Sequence, residues 1–271
     1  MFMIAAGGLA AMLAGSARAA DASAWAEDSH SAFRLIAGAN KAGAAPLRAG
    51  VEVKMPPGWH TYWRYPGDSG VPPHFDFAGS ENLGLAKVLY PAPHLFSDEA
   101  GNFLGYTDRV TFPLQVTPKQ AGKPVKLRVK LDYAVCDKLC VPAQGSAELT
   151  LAPGGSAQDA TLATAEARVP KQVSAAQAGL TAKRVNDGPK PLIMVDVAAP
   201  AGANTQMFVE GPTPEWALPI PKPAPGAPAG HRQFGFELDG LPPGVDPKGH
   251  FELTFTIIED GRPIEVTTHL D

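Results

Sequence analysis

The sequence predicts an all-β protein made of two sandwich-like domains, and three observations carry that expectation. Short runs alternate apolar and polar residues with a period of two, as half-buried strands do. Glycine and proline stand at 28 each in 271 residues, spread between those runs as turn punctuation. The alternation lapses over residues 152–180, where an Ala/Gly-rich segment interrupts it. The expected organisation is residues 21–152 as the first β-domain, 153–180 as a linker with a short helix, and 181–271 as a second, smaller β-domain.

In chain order, Ala32–Ala37 is the first predicted strand. Leu47–Met55 is the second, with Ala49, Val51, Val53 and Met55 on one face and Arg48, Gly50, Glu52 and Lys54 on the other. Leu85–Tyr90 and Arg109–Val116 follow, and Pro91–Tyr106 between them is expected to be one long loop. The cleanest alternation is Pro124–Tyr133, where Val125, Leu127, Val129, Leu131 and Tyr133 interleave with Lys126, Arg128, Lys130 and Asp132. Ser146–Leu151 closes this half. Ser156 is placed as the cap of a helix over Ala157–Arg168. Strands resume at Leu192–Val197, Gln206–Glu210 and Gln233–Leu238, and the proline-rich Gly211–Gly230 is expected to be loop. Asp260-Gly261 is a hairpin turn signal between Phe251–Ile257 and Pro263–His269.

Composition narrows the function classes. Hydrophobic residues make up 45% of the chain and charged ones 18%, enough apolar material for cores and too little charge for a disordered chain. A net charge of -4 without a basic cluster argues against a nucleic-acid partner. Phe2–Leu13 is mostly apolar and precedes Ala17-Arg18-Ala19-Ala20, the pattern of a signal peptide (residues 1–20) cleaved near Ala19-Ala20. That run is shorter than the about 20 residues a membrane-spanning helix needs. The expectation is an exported, periplasmic protein with no membrane span.

Two segments concentrate chemistry. Gly58–Gly70 carries Trp59, Tyr62, Trp63 and Tyr65 within seven residues, together with His60. Tyr133-Ala134-Val135-Cys136-Asp137-Lys138-Leu139-Cys140-Val141-Pro142 holds the only two cysteines. A disulfide needs Cα atoms about 4.4–6.8 Å apart, whereas four strand residues span roughly 13 Å. Pairing therefore requires a tight turn at Asp137-Lys138-Leu139. As a staple, the five-residue closed loop is worth only about 2 kcal/mol in the chain-entropy picture, against about 4.7 for a 100-residue loop. Strand parity puts both cysteines on the face opposite Tyr133 and the core. A redox pair, a structural staple and soft Cu(I) ligands all remain open on these residues. No histidine sits in the cysteine motif and no Met-rich run exists past the leader, so neither a metal nor another cofactor is expected.

The cysteine motif, Tyr133 to Pro142, resembles that of the N-terminal periplasmic domain of the DsbD thiol:disulfide interchange family, including its relatives linked to suppression of copper sensitivity. Gly58–Arg64 with Pro66-Gly67-Asp68, Asp98-Glu99 through Gly105-Tyr106, and Asp108–Leu114 resemble other family segments in the same order, covering about residues 30–150. The resemblance implies an immunoglobulin-like β-sandwich. It implies Cys136 and Cys140 as the exchanging pair, with Cys140 as nucleophile and Cys136 as its resolving partner. It implies a cap and site wall from Asp98, Glu99, Phe103, Tyr106, Tyr62 and Trp63, with Phe103 as the shielding side chain. It implies a membrane-embedded thiol reductant as donor and periplasmic thioredoxin-fold oxidoreductases as acceptors, and hence protein-disulfide reductase activity. Long family members continue into a membrane domain and a thioredoxin-like domain, which have no counterpart up to Asp271, so the donor is expected to be a separate protein. The competing expectation is a binding module, copper-handling or structural.

Overall fold

The structure, a computed structural model, describes residues 20–67, 70–98, 101–186 and 188–270. The signal-peptide expectation lies outside the described residues except at Ala20. The first half forms β1 (Ala26–Asp28), β2 (Ser31–Ala37), β3 (Leu47–Lys54), β4 (His60–Gly67), β5 (His74–Asp76), β6 (Leu83–Val88), β7 (His94–Asp98), β8 (Gly101–Thr107), β9 (Arg109–Pro118), β10 (Val125–Cys136) and β11 (Cys140–Leu151). One sheet runs β1-β2-β3-β9-β6; the other runs β11-β10-β4-β8-β7, with β5 alongside β4 on the same edge of β10.

These sheets pack face to face as an immunoglobulin-like sandwich. Its core takes Leu35, Val51 and Val53 from one sheet, and Trp63, Leu104, Leu127, Val129, Leu131 and Tyr133 from the other. The alternation in β10 thus closes the core as its sequence predicts. In β3 the pattern is less clean, because Gly50 and Glu52 are also buried. Glu52 is covered on the outer face, where the Arg34 and Arg109 guanidinium groups hold its carboxylate.

The predicted helix is shorter than expected. Helix α1 spans Asp159–Glu166, and the Ser156 hydroxyl accepts the Gln158 N–H one step before the helix begins while donating to the Ala37 carbonyl. Arg48 reaches both Asp159 and Glu166, and Leu162 is fully buried. A Cβ on Gly38 would sit 2.8 Å from the Leu162 side chain, so glycine lets the helix come this close. The segment expected to be a linker is therefore partly docked onto the first sandwich.

The second half continues with β12 (Lys171–Gln172), α2 (Ala175–Ala178), β13 (Thr181–Arg184), β14 (Leu192–Ala198), β15 (Thr205–Glu210), β16 (Lys222–Ala224), β17 (His231–Glu237), β18 (Phe251–Glu259) and β19 (Arg262–Leu270). Two four-stranded sheets, β12-β19-β18-β15 and β13-β14-β17-β16, enclose a separate core around Ile193, Val195, Phe234, Phe255 and Val266. Asp260 and Gly261 both have positive φ, 47° and 79°, as the tight β18–β19 turn demands. Two expectations need correction here. Gly211–Gly230 is not all loop: β16 pairs the sheet edge, where a strand proline sacrifices no ladder bond on its solvent side. β12 and β13 lie in stretches with too few residues to show a period.

The sandwiches meet along the outer side of β4. The Arg64 guanidinium bonds Glu210 through Nε at 2.8 Å and through its second arm at 2.7 Å, and it also contacts Glu265. Burial works to lower the Arg64 pKa, but the two carboxylates outweigh it and hold the side chain charged. Tyr65 donates to the Leu218 carbonyl, and Phe208 joins the first core beside Trp63. Arg64→Met is expected to cost about 3–5 kcal/mol, because it leaves Glu210 and Glu265 facing each other without a cation. Thermal or denaturant melting reads the loss. Limited proteolysis is expected to cut between α1 and β12 and leave two protected fragments, faster in the variant; one indivisible fragment counts against a boundary there.

Candidate functional site

The site is built on the tip of one hairpin. β10 and β11 pair in unbroken register from Val125↔Leu151 to Cys136↔Cys140. Asp137-Lys138-Leu139 turns the chain, and the Asp137 N–H donates to the Leu139 carbonyl at 3.3 Å. Directly opposite positions on an antiparallel pair bring their side chains to the same face. The two cysteines are joined in a disulfide with Cα atoms 4.1 Å apart.

Parity then decides what surrounds the sulfurs. Tyr133 and Val135 face the sandwich core, so Ala134 and Cys136 face outward. Outward is not exposed, however. Cys136 is only 2% accessible, in a small cluster with Tyr62, Phe103 and Ala134, against which Phe96 packs. Cys140, across the turn, is exposed along with Asp137, Lys138 and Leu139. The bond thus joins an exposed residue to a buried one.

The sealing comes from β4 and from the β7–β8 hairpin. Cys136 pairs with His60 across the sheet, and the Thr61 hydroxyl donates to the Ala134 carbonyl at 2.8 Å. The Phe103 ring stacks on His60 at 4.3 Å and on Phe96 at 5.0 Å, and meets Tyr62 edge-on at 5.8 Å. The Tyr62 hydroxyl lies 3.1 Å from Cys136 Sγ and 3.2 Å from Cys140 Sγ. Disulfide sulfurs carry no proton, so the phenol is the donor. Gly70 keeps the space beside that phenol: a Cβ there would stand 2.4 Å from the Tyr62 ring.

This arrangement suits attack at one sulfur. A thiolate approaching from solvent would meet the exposed Cys140, and the bond would then break toward Cys136. The Tyr62 hydroxyl, within reach of both sulfurs, would donate to the departing thiolate and stabilise it.

Residues 28–152 match the family of the N-terminal domain of the thiol:disulfide interchange protein DsbD. The matched DsbD segment takes in nearly all of the first sandwich, both cysteines and the β7–β8 hairpin. Among solved structures, the crystal structure of the N-terminal periplasmic domain of ScsB from Proteus mirabilis superposes with a TM-score of 0.71 at 19% identity. That match covers 93% of this chain and 98% of the other, so the likeness in fold extends over both sandwiches. A comparison with curated proteins finds no match. The family match supports a thiol-disulfide interchange module, and the structural match shows a shared fold.

Within the DsbD-like segment the expected site residues divide. Cys136, Cys140, Tyr62 and Phe103 come together at the hairpin tip. Trp63 and Tyr106 do not: both belong to the sandwich core, and Tyr106 donates to the Pro91 carbonyl at 2.7 Å. Trp63 follows Tyr62 by one residue on a strand, so its side chain must take the opposite face. Asp98 pairs with Gly101 at the end of the β7–β8 ladder, while Glu99 lies outside the described residues. The expected loop over Pro91–Tyr106 is mostly this hairpin. Its proline-rich start and short strands hid the pairing of Phe96 with Phe103, which puts both rings on the disulfide's face. Phe96 and Ala134 were not expected at the site. Counting in twos from Cys136 finds Ala134, but only the β7–β8 register finds Phe96.

Phe103→Ala opens the cover over Cys136. In the reduced protein, alkylation of Cys136 is expected to speed up. The stability loss is expected to fall below the about 3–5 kcal/mol of a Phe→Ala change in a main core, since this cluster is small and peripheral. Mass spectrometry of timed alkylation, with a melting curve, tests both. A large stability loss with unchanged Cys136 reactivity would rule out a shielding role.

Proposed function

We propose that this protein is a periplasmic thiol-disulfide exchange protein, acting as a protein-disulfide reductase through Cys136 and Cys140. The observation that carries the reading is the unequal exposure of one short-range disulfide: Cys140 open, Cys136 buried beneath Phe103. A staple has no use for such asymmetry, whereas exchange needs one accessible sulfur and one protected leaving group.

The chemistry runs in two displacements. A donor thiolate attacks Cys140 Sγ; a mixed disulfide forms, the Cys136–Cys140 bond breaks, and Cys136 leaves as a thiolate beside the Tyr62 hydroxyl. The donor's second thiolate then attacks its own sulfur in the mixed disulfide and releases Cys140. Two electrons have passed to the pair, which takes up two protons, and the donor is left as a disulfide. Reversal against an oxidised acceptor hands the electrons on, with Cys140 now attacking and Cys136 closing the ring. The resemblance supports a membrane-embedded donor and periplasmic thioredoxin-fold acceptors. The ScsB domain that shares this fold is a periplasmic one, which supports the same compartment here.

The reduction potential of the pair decides between exchange and staple. Equilibration with a glutathione or dithiothreitol redox series is expected to give a value above about -300 mV, the region of labile disulfides. A value well below it would leave a structural bond. Tyr62→Phe removes the donor to the leaving sulfur while keeping the ring. It is expected to raise the Cys136 thiol pKa and to slow opening of the disulfide by a small thiol by about tenfold, the worth of one hydrogen bond to a charged group. Thiolate absorbance against pH and stopped-flow kinetics measure the two effects.

A further inference from the structure

A protein that attacks Cys140 brings its own surface up to the neighbouring Leu139. Neighbouring Cα atoms are about 3.8 Å apart, and the attacking atom must come within bonding distance of Cys140 Sγ. Leu139 is 79% exposed, more than any other exposed large apolar side chain among the described residues. A lone surface leucine is ordinary. One fixed beside a reactive sulfur at a hairpin tip is different, because it is desolvated whenever a protein reacts there. Val71, 55% exposed, is one residue from Gly70, which lies against the Tyr62 ring whose hydroxyl reaches both sulfurs. The remaining turn residues, Asp137 and Lys138, are exposed and opposite in charge, so the tip offers no net charge for electrostatic selection.

We propose that Leu139 determines which protein partners this site accepts: dithiol proteins whose reactive cysteine is set in an apolar surface, with Val71 extending the contact. The proposal rests on the exchange reading given above. A polar partner surface would leave the leucine covered without apolar neighbours and would lose its own hydration, so it is disfavoured. A small thiol touches only the sulfur and is indifferent to Leu139.

The test compares two reductants of the oxidised protein: reduced thioredoxin as the protein probe and dithiothreitol as the small one. Wild type is expected to react faster per thiolate with thioredoxin. Leu139→Ser is expected to slow the thioredoxin reaction about tenfold or more, the effect of losing one buried aliphatic side chain. Its dithiothreitol rate should stay within about twofold of wild type, as for an exposed substitution. Leu139→Met should restore most of the thioredoxin rate. An unchanged thioredoxin rate in Leu139→Ser, equal slowing with both reagents, or a wild type that shows no preference for thioredoxin each overturns the proposal. A wild-type disulfide that neither reagent opens instead sinks the exchange reading, and the docking role with it.

Discussion

The outer face of β4 is shared by the disulfide and by the second sandwich. His60 and Tyr62 point from that face into the cysteine cluster, and Arg64, two residues further, points to Glu210 and Glu265. The inner face of the same strand puts Trp63 and Tyr65 into the core. A period of two residues assigns every one of these side chains. Sliding β4 by one residue against β10 would turn Trp63 toward the disulfide and bury Arg64 in an apolar core, at a cost no ion pair would offset. The register Cys136↔His60 is therefore held from both sides, by core volume within and by a clamped cation without.

That constraint explains why the cover over the disulfide is a hairpin. An apolar cover must keep Phe103 in place over Cys136 while its own backbone polar groups stay bonded. Pairing β8 to β4 and β7 to β8 satisfies those groups in a ladder. Gly105 permits the close approach: a Cβ there would come 2.2 Å from the Thr61 carbonyl oxygen. The ladder also leaves β7 as an edge strand, bonded on one side only. The edge strand, which carries Phe96, gives way at lower cost than β8, which carries Phe103 and is paired on both sides, because fewer bonds and contacts break with it.

Much of this was legible in the sequence, and the failures have physical causes. The alternation of Val125 to Tyr133 gave the right core face, and continued to Cys136 it gave the right outward face. What parity does not contain is the covering of that face by another element, so Cys136, expected on the face away from the core, is nonetheless buried. The same limit separates Tyr62 from Trp63. Both look like aromatics of one cluster, yet neighbours on a strand diverge by the pleat of the backbone. Phe96 escaped because prolines and a short run conceal a strand whose partner, rather than its own pattern, defines it. The ion pairing of Arg64 had no sequence signal, since Glu210 and Glu265 lie 146 and 201 residues away along the chain.

The long separation of those partners bears on how the site behaves. Arg64 joins Glu210 of β15 and Glu265 of β19, and Gln172 of β12 also bonds Glu265, so three of the four strands of one sheet of the second sandwich are tied to β4 through this cluster. Charges held this way resist displacement, since moving either carboxylate leaves the half-buried guanidinium short of a partner. β4 is thereby fixed at its far end while its near end presents Tyr62 to the sulfurs. The distance from phenol to leaving sulfur is then set by a strand pinned at both ends, by β10 at Thr61 and by the second sandwich at Arg64. A donor so placed has no reorganisation to undergo as the thiolate forms, which is the condition under which a single hydrogen bond contributes most. On the exchange reading proposed above, the second sandwich, which carries no cysteine, would serve the cysteine pair by immobilising the strand that carries Tyr62.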